Sequence, residues 1–213
     1  MTVYWLLLLP TALIAYLLGS LDSMVLASNF VFRRNLARLG KGNIWISNFR
    51  RIYGVKGALK LLAVELVRDM LPILIGGGLL AIKGHGSVGF VFAGFCLVMG
   101  RLFPLFYELR GGHAALCLVC TAMMTELSAG IATLLMMVVA IAATRYISVG
   151  TVVGALTYAI VTVMVVDESV IVKLAVFIAL AVVLRHIPSF IRIVRGTEER
   201  LTGEEDITYK LDE

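Results

Sequence analysis

Long uncharged, apolar segments alternate with short charged connections along most of the chain. Six segments contain no Asp, Glu, Lys or Arg, and they cover residues 2–21, 70–82, 87–100, 114–125, 127–144 and 146–166. About 20 consecutive apolar residues suffice for a helix to cross the hydrocarbon core of a bilayer. Because several segments reach or approach that length, the pattern predicts an all-α, polytopic membrane protein.

The predicted spans end where charges or turns interrupt the apolar pattern. A single helix over residues 114–143 would be about 45 Å long, whereas the hydrocarbon core is about 30 Å thick. Glu126 and Gly130 divide this stretch, so we predict two shorter spans there. The chain then has seven predicted spans, which are residues 2–21, 58–82, 87–106, two within 114–143, 147–166 and 170–184.

Basic residues set the predicted orientation. Several lie within residues 33–41, directly after the first span, and no Lys or Arg precedes that span. Since Lys and Arg favour the cytoplasmic side, we predict the N-terminus outside and the C-terminus inside. Lys83 and Lys173 are then the basic residues near the outer face. We predict a single membrane-embedded domain over residues 1–191 and a polar cytoplasmic tail over residues 192–213.

Composition supports the same class and restricts the partners. The mean hydropathy is +0.97, and 15% of the residues are charged, against about 25% in an ordinary soluble domain. The formal net charge is +5, but the basic residues flank apolar spans and do not interleave with aromatics. The charge therefore indicates membrane topology and predicts no nucleic-acid partner.

Three cysteines lie in apolar segments. Cys117 and Cys120 have the C-x-x-C spacing of redox and zinc sites, but no second Cys/His pair follows at zinc spacing. Two small residues one helical turn apart give the same spacing. We therefore predict no disulfide and no bound metal.

Three polar features are candidates for chemistry. Residues 40–43 (GKGN) and 110–113 (RGGH) combine glycine with basic residues, and such backbone turns and helix N-termini attract phosphate. Glu65, Arg68 and Asp69 share one face of the second span. Intramembrane charges indicate function, and an ion pair that clamps helices together is the alternative. The residues alone thus suggest a phosphate-bearing ligand at the cytoplasmic face, with any acyl chain between helices.

At these positions the chain resembles the bacterial integral-membrane acyl-phosphate:glycerol-3-phosphate acyltransferase family, over about residues 5–198. The order and spacing of the motifs both agree. Residues 40–48 (GKGNIWISN) resemble the family pattern G-S-G-N-x-G-A-T-N, and residues 100–106 (GRLFPLF) resemble G-H-x-F-P-x-F. Further along the chain, residues 109–113 (LRGGH) resemble F-K-G-G-K, and residues 144–148 (TRYIS) resemble T-R-Y-x-S. Residues 185–186 together with 196–198 resemble the closing pattern R-H…G-T-E.

The resemblance implies a seven-helix protein of the bacterial plasma membrane with its active site at the cytoplasmic face. The family transfers an acyl group from acyl phosphate to glycerol 3-phosphate, and the lysophosphatidic acid formed enters phospholipid synthesis. The implied partners are these two substrates, membrane lipids and other enzymes of lipid synthesis. Neither coenzyme A nor any other cofactor is implied.

The resemblance also implies the site residues. The candidates for catalysis are Lys41, Asn43, His113 and His186. The candidates for binding the substrate phosphates are Gly40, Gly42, Asn48, Arg51, Arg101, Arg110, Gly111, Gly112 and Arg145. Glu65, Arg68 and Asp69 form the charged cluster of the second span.

Several motif residues depart from the family pattern. The loop serine is Lys41 here, the histidine before F-P-x-F is Arg101, and the second lysine of F-K-G-G-K is His113. The aspartate and lysine expected in the second span are Glu65 and Arg68. Arg and Lys differ in shape and hydrogen bonding, so these exchanges alter a phosphate site while keeping positive charge.

Two other functions remain open. A catalytically impaired paralogue that binds acyl phosphate or anionic lipid, as a regulatory or accessory membrane protein, would explain why departures fall inside the motifs. A small-molecule transporter would use Glu65, Arg68 and Asp69 as its intramembrane charges.

Overall fold

The computed structural model describes residues 2–21, 46–105, 114–198 and 200–201. Within these ranges the chain forms seven α-helices and no strand, which confirms the predicted all-α, seven-helix membrane fold. The helices are α1 (Thr2–Ser20), α2 (Ile46–Ala81), α3 (Gly86–Leu102), α4 (Ala115–Thr125), α5 (Leu127–Thr144), α6 (Ile147–Val165) and α7 (Ser169–Val194). The predicted orientation of the termini stays a prediction.

The division of the fourth apolar stretch occurs where it was predicted. Glu126 has extended backbone dihedral angles (φ −155°, ψ 127°) between α4 and α5. A Cβ on Gly130 would lie 2.5 Å from the Cα atom of Met123. Only glycine therefore lets α5 turn back this closely along α4. At 11 residues, α4 extends about 16 Å, roughly half the thickness of a hydrocarbon core.

Three predicted span ends differ from the helix bounds. The third span is predicted to reach residue 106, but α3 ends at Leu102. The second helix begins at Ile46 and not at residue 58, with a break at Gly54 (φ 67°, ψ −172°). The break at Gly54 separates a short helical segment, residues 46–53 of the polar connection, from the part of α2 that is predicted to span the membrane. The last helix continues past residue 184 to Val194, since the apolar pattern resumes after Arg185 and His186. The predicted domain boundary at residue 191 thus falls inside α7.

Helix α3 lies at the centre of the bundle and packs against α1, α2, α4 and α7. Its contact with α1 is between backbones. A Cβ on Gly19 would lie 2.3 Å from the carbonyl oxygen of Leu97, and a Cβ on Gly100 would lie 2.3 Å from that of Tyr16. Small residues that let helix backbones meet are the usual basis of helix association in lipid.

The outer helices present apolar surface. Among the described helices, α5, α6 and α7 are each long and apolar enough to cross a membrane by themselves. Large apolar side chains such as Leu135, Val138 and Val139 are exposed on α5. A surface of this kind suits contact with lipid acyl chains.

Several of the described charged side chains lie at one end of the bundle. The Tyr16 hydroxyl donates a hydrogen bond to the Phe103 carbonyl (2.7 Å), which joins the ends of α1 and α3. Arg185 Nε donates to the Leu102 carbonyl (3.1 Å), which brings α7 to the same place. We call this end, which also carries Arg145 at the α5–α6 turn, the arginine-rich end.

Candidate active site

Much of the predicted site lies outside the described residues. This applies to Gly40, Lys41, Gly42, Asn43, Arg110, Gly111, Gly112 and His113. Asn48 and Arg51 lie on the first part of α2, ahead of the break at Gly54. The remaining candidates can be placed, and all of them lie toward the arginine-rich end.

Three charged residues of α2 and one of α3 form two ion pairs, which we call the helix clamp. The clamp consists of Glu65, Arg68 and Asp69 on α2 and Arg101 on α3. Arg68 Nε donates to Asp69 Oδ1 at 2.9 Å, and a second nitrogen of the same guanidinium contacts that oxygen. Arg101 on α3 donates to Glu65 Oε1 on α2, also at 2.9 Å. The first pair lies within α2 and the second joins two helices.

Arg68 also connects the clamp to α1. Its Nη1 donates to the Leu21 carbonyl at 2.9 Å, directly after the last turn of α1. Both Arg68 and Asp69 are buried, Asp69 completely. Buried charges are tolerated only when they are paired and hydrogen-bonded. The arrangement favours the helix-clamp interpretation of these residues over that of a transport pathway.

The polar face of α7 holds His186 in a fixed place. The imidazole is buried, and its Nδ1 lies 2.8 Å from the Val182 carbonyl. One and two turns further on, Ser189 and Arg192 continue the same face, and Arg192 Nη2 donates to Ser189 Oγ at 2.9 Å. Hydrogen bonding at one ring nitrogen orients a histidine, as catalysis or ligand binding requires.

Arg145 lies at the α5–α6 turn with its side chain exposed. It ends α5 in a left-handed conformation (φ 63°, ψ 15°) and is the non-glycine residue with positive φ among those described. Such a conformation costs roughly 1–3 kcal/mol in a residue other than glycine, so surrounding contacts have to maintain it. The exposed guanidinium is suited to bind a phosphate from solvent.

A segment after α7 supplies contacts to this turn. Residues 195–198 and 200–201, which we call the C-terminal strap, follow α7 and contact the start of α6. Glu198 joins the two helices, because its Oε2 accepts from Arg192 Nε at 2.6 Å and its Oε1 accepts from Ser148 Oγ at 3.2 Å. The strap thus fixes α6 to α7 beside Arg145.

Four polar residues of this region were not predicted as site residues. They are Ser148, Ser189, Arg192 and Glu198. The spacing of His186, Ser189 and Arg192 at three-residue intervals was the available signal, because it places them along one helix face. Glu198 contacts Ser148, which is distant in the sequence, so no local sequence pattern predicts its role.

The described part of the arrangement can bind anions and orient an imidazole. Arg145 is exposed, the His186 imidazole is held by a backbone carbonyl, and the clamp joins α1, α2 and α3. Among the described residues, no group of three or more His, Cys, Asp or Glu side chains could hold a metal ion. The fold and these groups define a seven-helix integral membrane protein with an arginine-rich end.

A comparison with known protein families identifies the class. The sequence profile of the family described as glycerol-3-phosphate acyltransferase matches residues 9–196. Because the match covers most of the chain, the protein belongs to this family.

Curated relatives agree over nearly their whole length. A glycerol-3-phosphate acyltransferase of Thermoanaerobacter pseudethanolicus is 26% identical over 197 residues, which are 92% of this chain and 97% of the relative. The enzyme of the same name from Coxiella burnetii is 26% identical over 189 residues, 89% of this chain and 95% of the relative.

Two solved structures share the fold. Both are crystal structures of PlsY, an integral membrane glycerol 3-phosphate acyltransferase, one in a lysophosphatidic acid form and one in a glycerol 3-phosphate form. Each superposes with a TM-score of 0.72. The identity is 21% over 91% of this chain and 94% of the first structure, and 22% over 92% and 96% for the second. The likeness supports the membrane fold.

Proposed function

We propose that this protein transfers an acyl group from acyl phosphate to glycerol 3-phosphate and releases lysophosphatidic acid and phosphate. The match of residues 9–196 to the glycerol-3-phosphate acyltransferase profile carries the proposal. The names of the curated relatives support the acceptor and the reaction class. The acyl phosphate donor comes from the motif resemblance.

The chemistry suits a protein that binds two phosphates close together. A hydroxyl of glycerol 3-phosphate attacks the carbonyl carbon of the acyl phosphate, a new C–O ester bond forms, and the bond from carbon to the phosphate oxygen breaks. The donor is already activated, so the protein has to position both substrates and stabilise negative charge on the carbonyl oxygen and the leaving phosphate. The proposal therefore requires neither a metal nor an organic cofactor.

We assign the phosphate of the acceptor to Arg145, with Arg51 and the glycine-rich residues 110–112 as its partners. Exposure of the Arg145 side chain and its place beside the Glu198 contacts that join α6 to α7 support this role. The Gly40–Asn43 loop and Asn48 would hold the donor phosphate. A histidine is the ordinary acceptor for the hydroxyl proton, and His186 and His113 are the candidates, with Lys41 and Asn43 stabilising the carbonyl oxygen.

Arg101 is better explained as part of the helix clamp than as a phosphate ligand. Its guanidinium donates to Glu65 at 2.9 Å, and both side chains are largely buried. A guanidinium already paired with a carboxylate offers less charge to a substrate phosphate. The clamp arginines would then support the site without touching the substrates.

The location and organisation follow the resemblance. We propose that the arginine-rich end faces the cytoplasm of a bacterial cell, in agreement with the side that Lys and Arg prefer. Acyl phosphate and lysophosphatidic acid would enter and leave through the surrounding lipid, and other enzymes of lipid synthesis are candidate partners. The domain boundary near residue 191 remains part of this proposal.

A catalytically impaired paralogue is the second candidate function. The departures at Lys41, His113 and Arg101 favour it, and the Glu65–Arg101 ion pair gives one departure a structural role. Such a protein would bind acyl phosphate or anionic lipid and act as a regulatory or accessory subunit. It would retain the fold and the lipid site but lack turnover.

The purified protein in lipid bicelles tests the two candidates together. Palmitoyl phosphate or palmitoyl coenzyme A would be supplied with isotope-labelled glycerol 3-phosphate, and labelled lysophosphatidic acid would be measured by mass spectrometry. We expect acceptor-dependent product and phosphate release with palmitoyl phosphate and not with the coenzyme A ester. Product from the coenzyme A ester alone would overturn the donor assignment.

Restoring the family residues separates a slow enzyme from a binding protein. The variant Lys41→Ser with His113→Lys would be compared with Lys173→Ser and His85→Lys, which make the same exchanges at exposed positions distant from the arginine-rich end. If the wild type gives no product and only the restored variant does, the impaired paralogue is the correct function. If both are folded and inactive, the enzyme assignment fails.

A further inference from the structure

The C-terminal strap contacts the α5–α6 turn at two places beyond Glu198. Arg200 Nε donates to the Tyr146 hydroxyl at 2.9 Å, and its guanidinium carbon lies 5.6 Å from the centroid of the same ring. One residue later, the Leu201 N–H donates to the Arg145 carbonyl at 2.7 Å. The strap thus binds both residues that form the turn.

These contacts act on the one described non-glycine residue that has a positive φ. Arg145 is held at φ 63°, which a residue other than glycine adopts only when its surroundings maintain it. Tyr146 is buried and precedes the first residue of α6. A hydrogen bond and a cation–π contact on Tyr146 fix the α6 side of the turn. The bond from Leu201 holds the peptide unit of Arg145 itself.

Within the strap, Arg200 and Leu201 lie beyond residue 196, where the match to the family profile ends. We propose that Arg200 is a positioning residue for Arg145: together with Leu201, it holds the α5–α6 turn so that the exposed guanidinium meets the phosphate of the acceptor. The proposal rests on the function assigned to Arg145 above.

The first test follows the kinetics of acyl transfer. Arg200→Ala should raise KM for glycerol 3-phosphate about fivefold and leave kcat and the melting temperature close to those of the wild type. Arg200→Lys, which keeps the charge, and Tyr146→Phe, which keeps the ring, should give intermediate values. Arg195→Ala removes the same charge from an exposed position of the strap and should leave KM unchanged.

A double-mutant cycle identifies the route of the effect. In an Arg145→Gln background, Arg200→Ala should add nothing further to KM, since the residue it positions is absent. An additive effect would overturn the proposal, because Arg200 would then act on the substrate independently of Arg145. An unchanged KM in Arg200→Ala would also overturn it.

Amide hydrogen exchange tests the contact between the strap and the α5–α6 turn without a measurement of activity. Arg200→Ala should speed exchange in peptides that cover residues 145–150 and 198–202, whereas Arg195→Ala should not. Unchanged exchange would overturn the strap contact whatever the kinetics. If the wild type forms no lysophosphatidic acid, the proposed function fails, and the exchange result still decides whether Arg200 holds the turn.

Discussion

The helix clamp and the C-terminal strap lie at the same end of the bundle and use arginine in different ways. In the clamp, Arg68 and Arg101 are paired with carboxylates and join the ends of α1 and α3 to the middle of α2. At the strap, Arg145, Arg192 and Arg200 are all exposed, and Arg192 and Arg200 hold neighbouring elements through side-chain contacts. The difference separates buried arginines that maintain the fold from exposed ones, of which Arg145 is the one that we propose binds a ligand.

Burial explains this division. A charge inside the bundle has lost its hydration and is stabilised by pairing with an opposite charge. An exposed guanidinium keeps its water and can exchange it for a phosphate oxygen at little cost. Substitutions in the clamp should therefore change stability, and substitution of Arg145 should change substrate binding.

The largest expected effect comes from breaking the fully buried pair of the clamp. Asp69→Leu leaves Arg68 buried without its carboxylate and should destabilise the protein by about 3–5 kcal/mol. The double variant Arg68→Met with Asp69→Leu removes both charges and should recover most of that loss. Thermal unfolding in detergent measures both. A single variant as stable as the wild type would show that the pair contributes nothing to the fold.

The next effect concerns the backbone contact of α1 with α3. A Cβ at Gly100 would lie 2.3 Å from the Tyr16 carbonyl oxygen, so Gly100→Ala has to separate the helices and should cost about 1–3 kcal/mol. Gly78→Ala is the control, since a Cβ there meets no atom within 4 Å and alanine favours helix. Equal melting temperatures for the two variants would contradict the close contact.

The partly exposed pair of the clamp should give the smallest change in stability. Glu65→Gln and Arg101→Gln should each cost about 1 kcal/mol, because both side chains retain some contact with solvent. The double variant Glu65→Arg with Arg101→Glu swaps the two charges and should recover part of the lost stability, since opposite charges again face each other. A double-mutant cycle with zero coupling would contradict the ion pair.

Much of the fold was predictable from the hydrophobic pattern. Seven helices follow from the length of the apolar segments, and Glu126 ends α4 because a charged residue interrupts an apolar run that is too long for one span. The start of α2 and the end of α7 were wrong, since apolar periodicity does not report helices that continue beyond the apolar region. Gly54 allows a helical segment ahead of the span that no hydropathy pattern could indicate.

The site was less predictable because its contacts join distant parts of the chain. The cluster of Glu65, Arg68 and Asp69 was visible as neighbours on one helix face. Its partners, Arg101 and the Leu21 carbonyl, were not, since pairing across helices depends on packing. The strap was missed for the same reason: Leu201 meets Arg145 only after α6 and α7 have folded back.

The most direct test compares KM for glycerol 3-phosphate in Arg145→Gln and Arg101→Gln, measured on folded protein together with the melting temperature. We predict that Arg145→Gln raises KM about tenfold at an unchanged melting temperature. Arg101→Gln should lower the melting temperature and leave KM within about twofold of the wild type. An unchanged KM for Arg145→Gln, or a raised KM for a fully stable Arg101→Gln, would contradict the division between the clamp and the ligand-binding arginine.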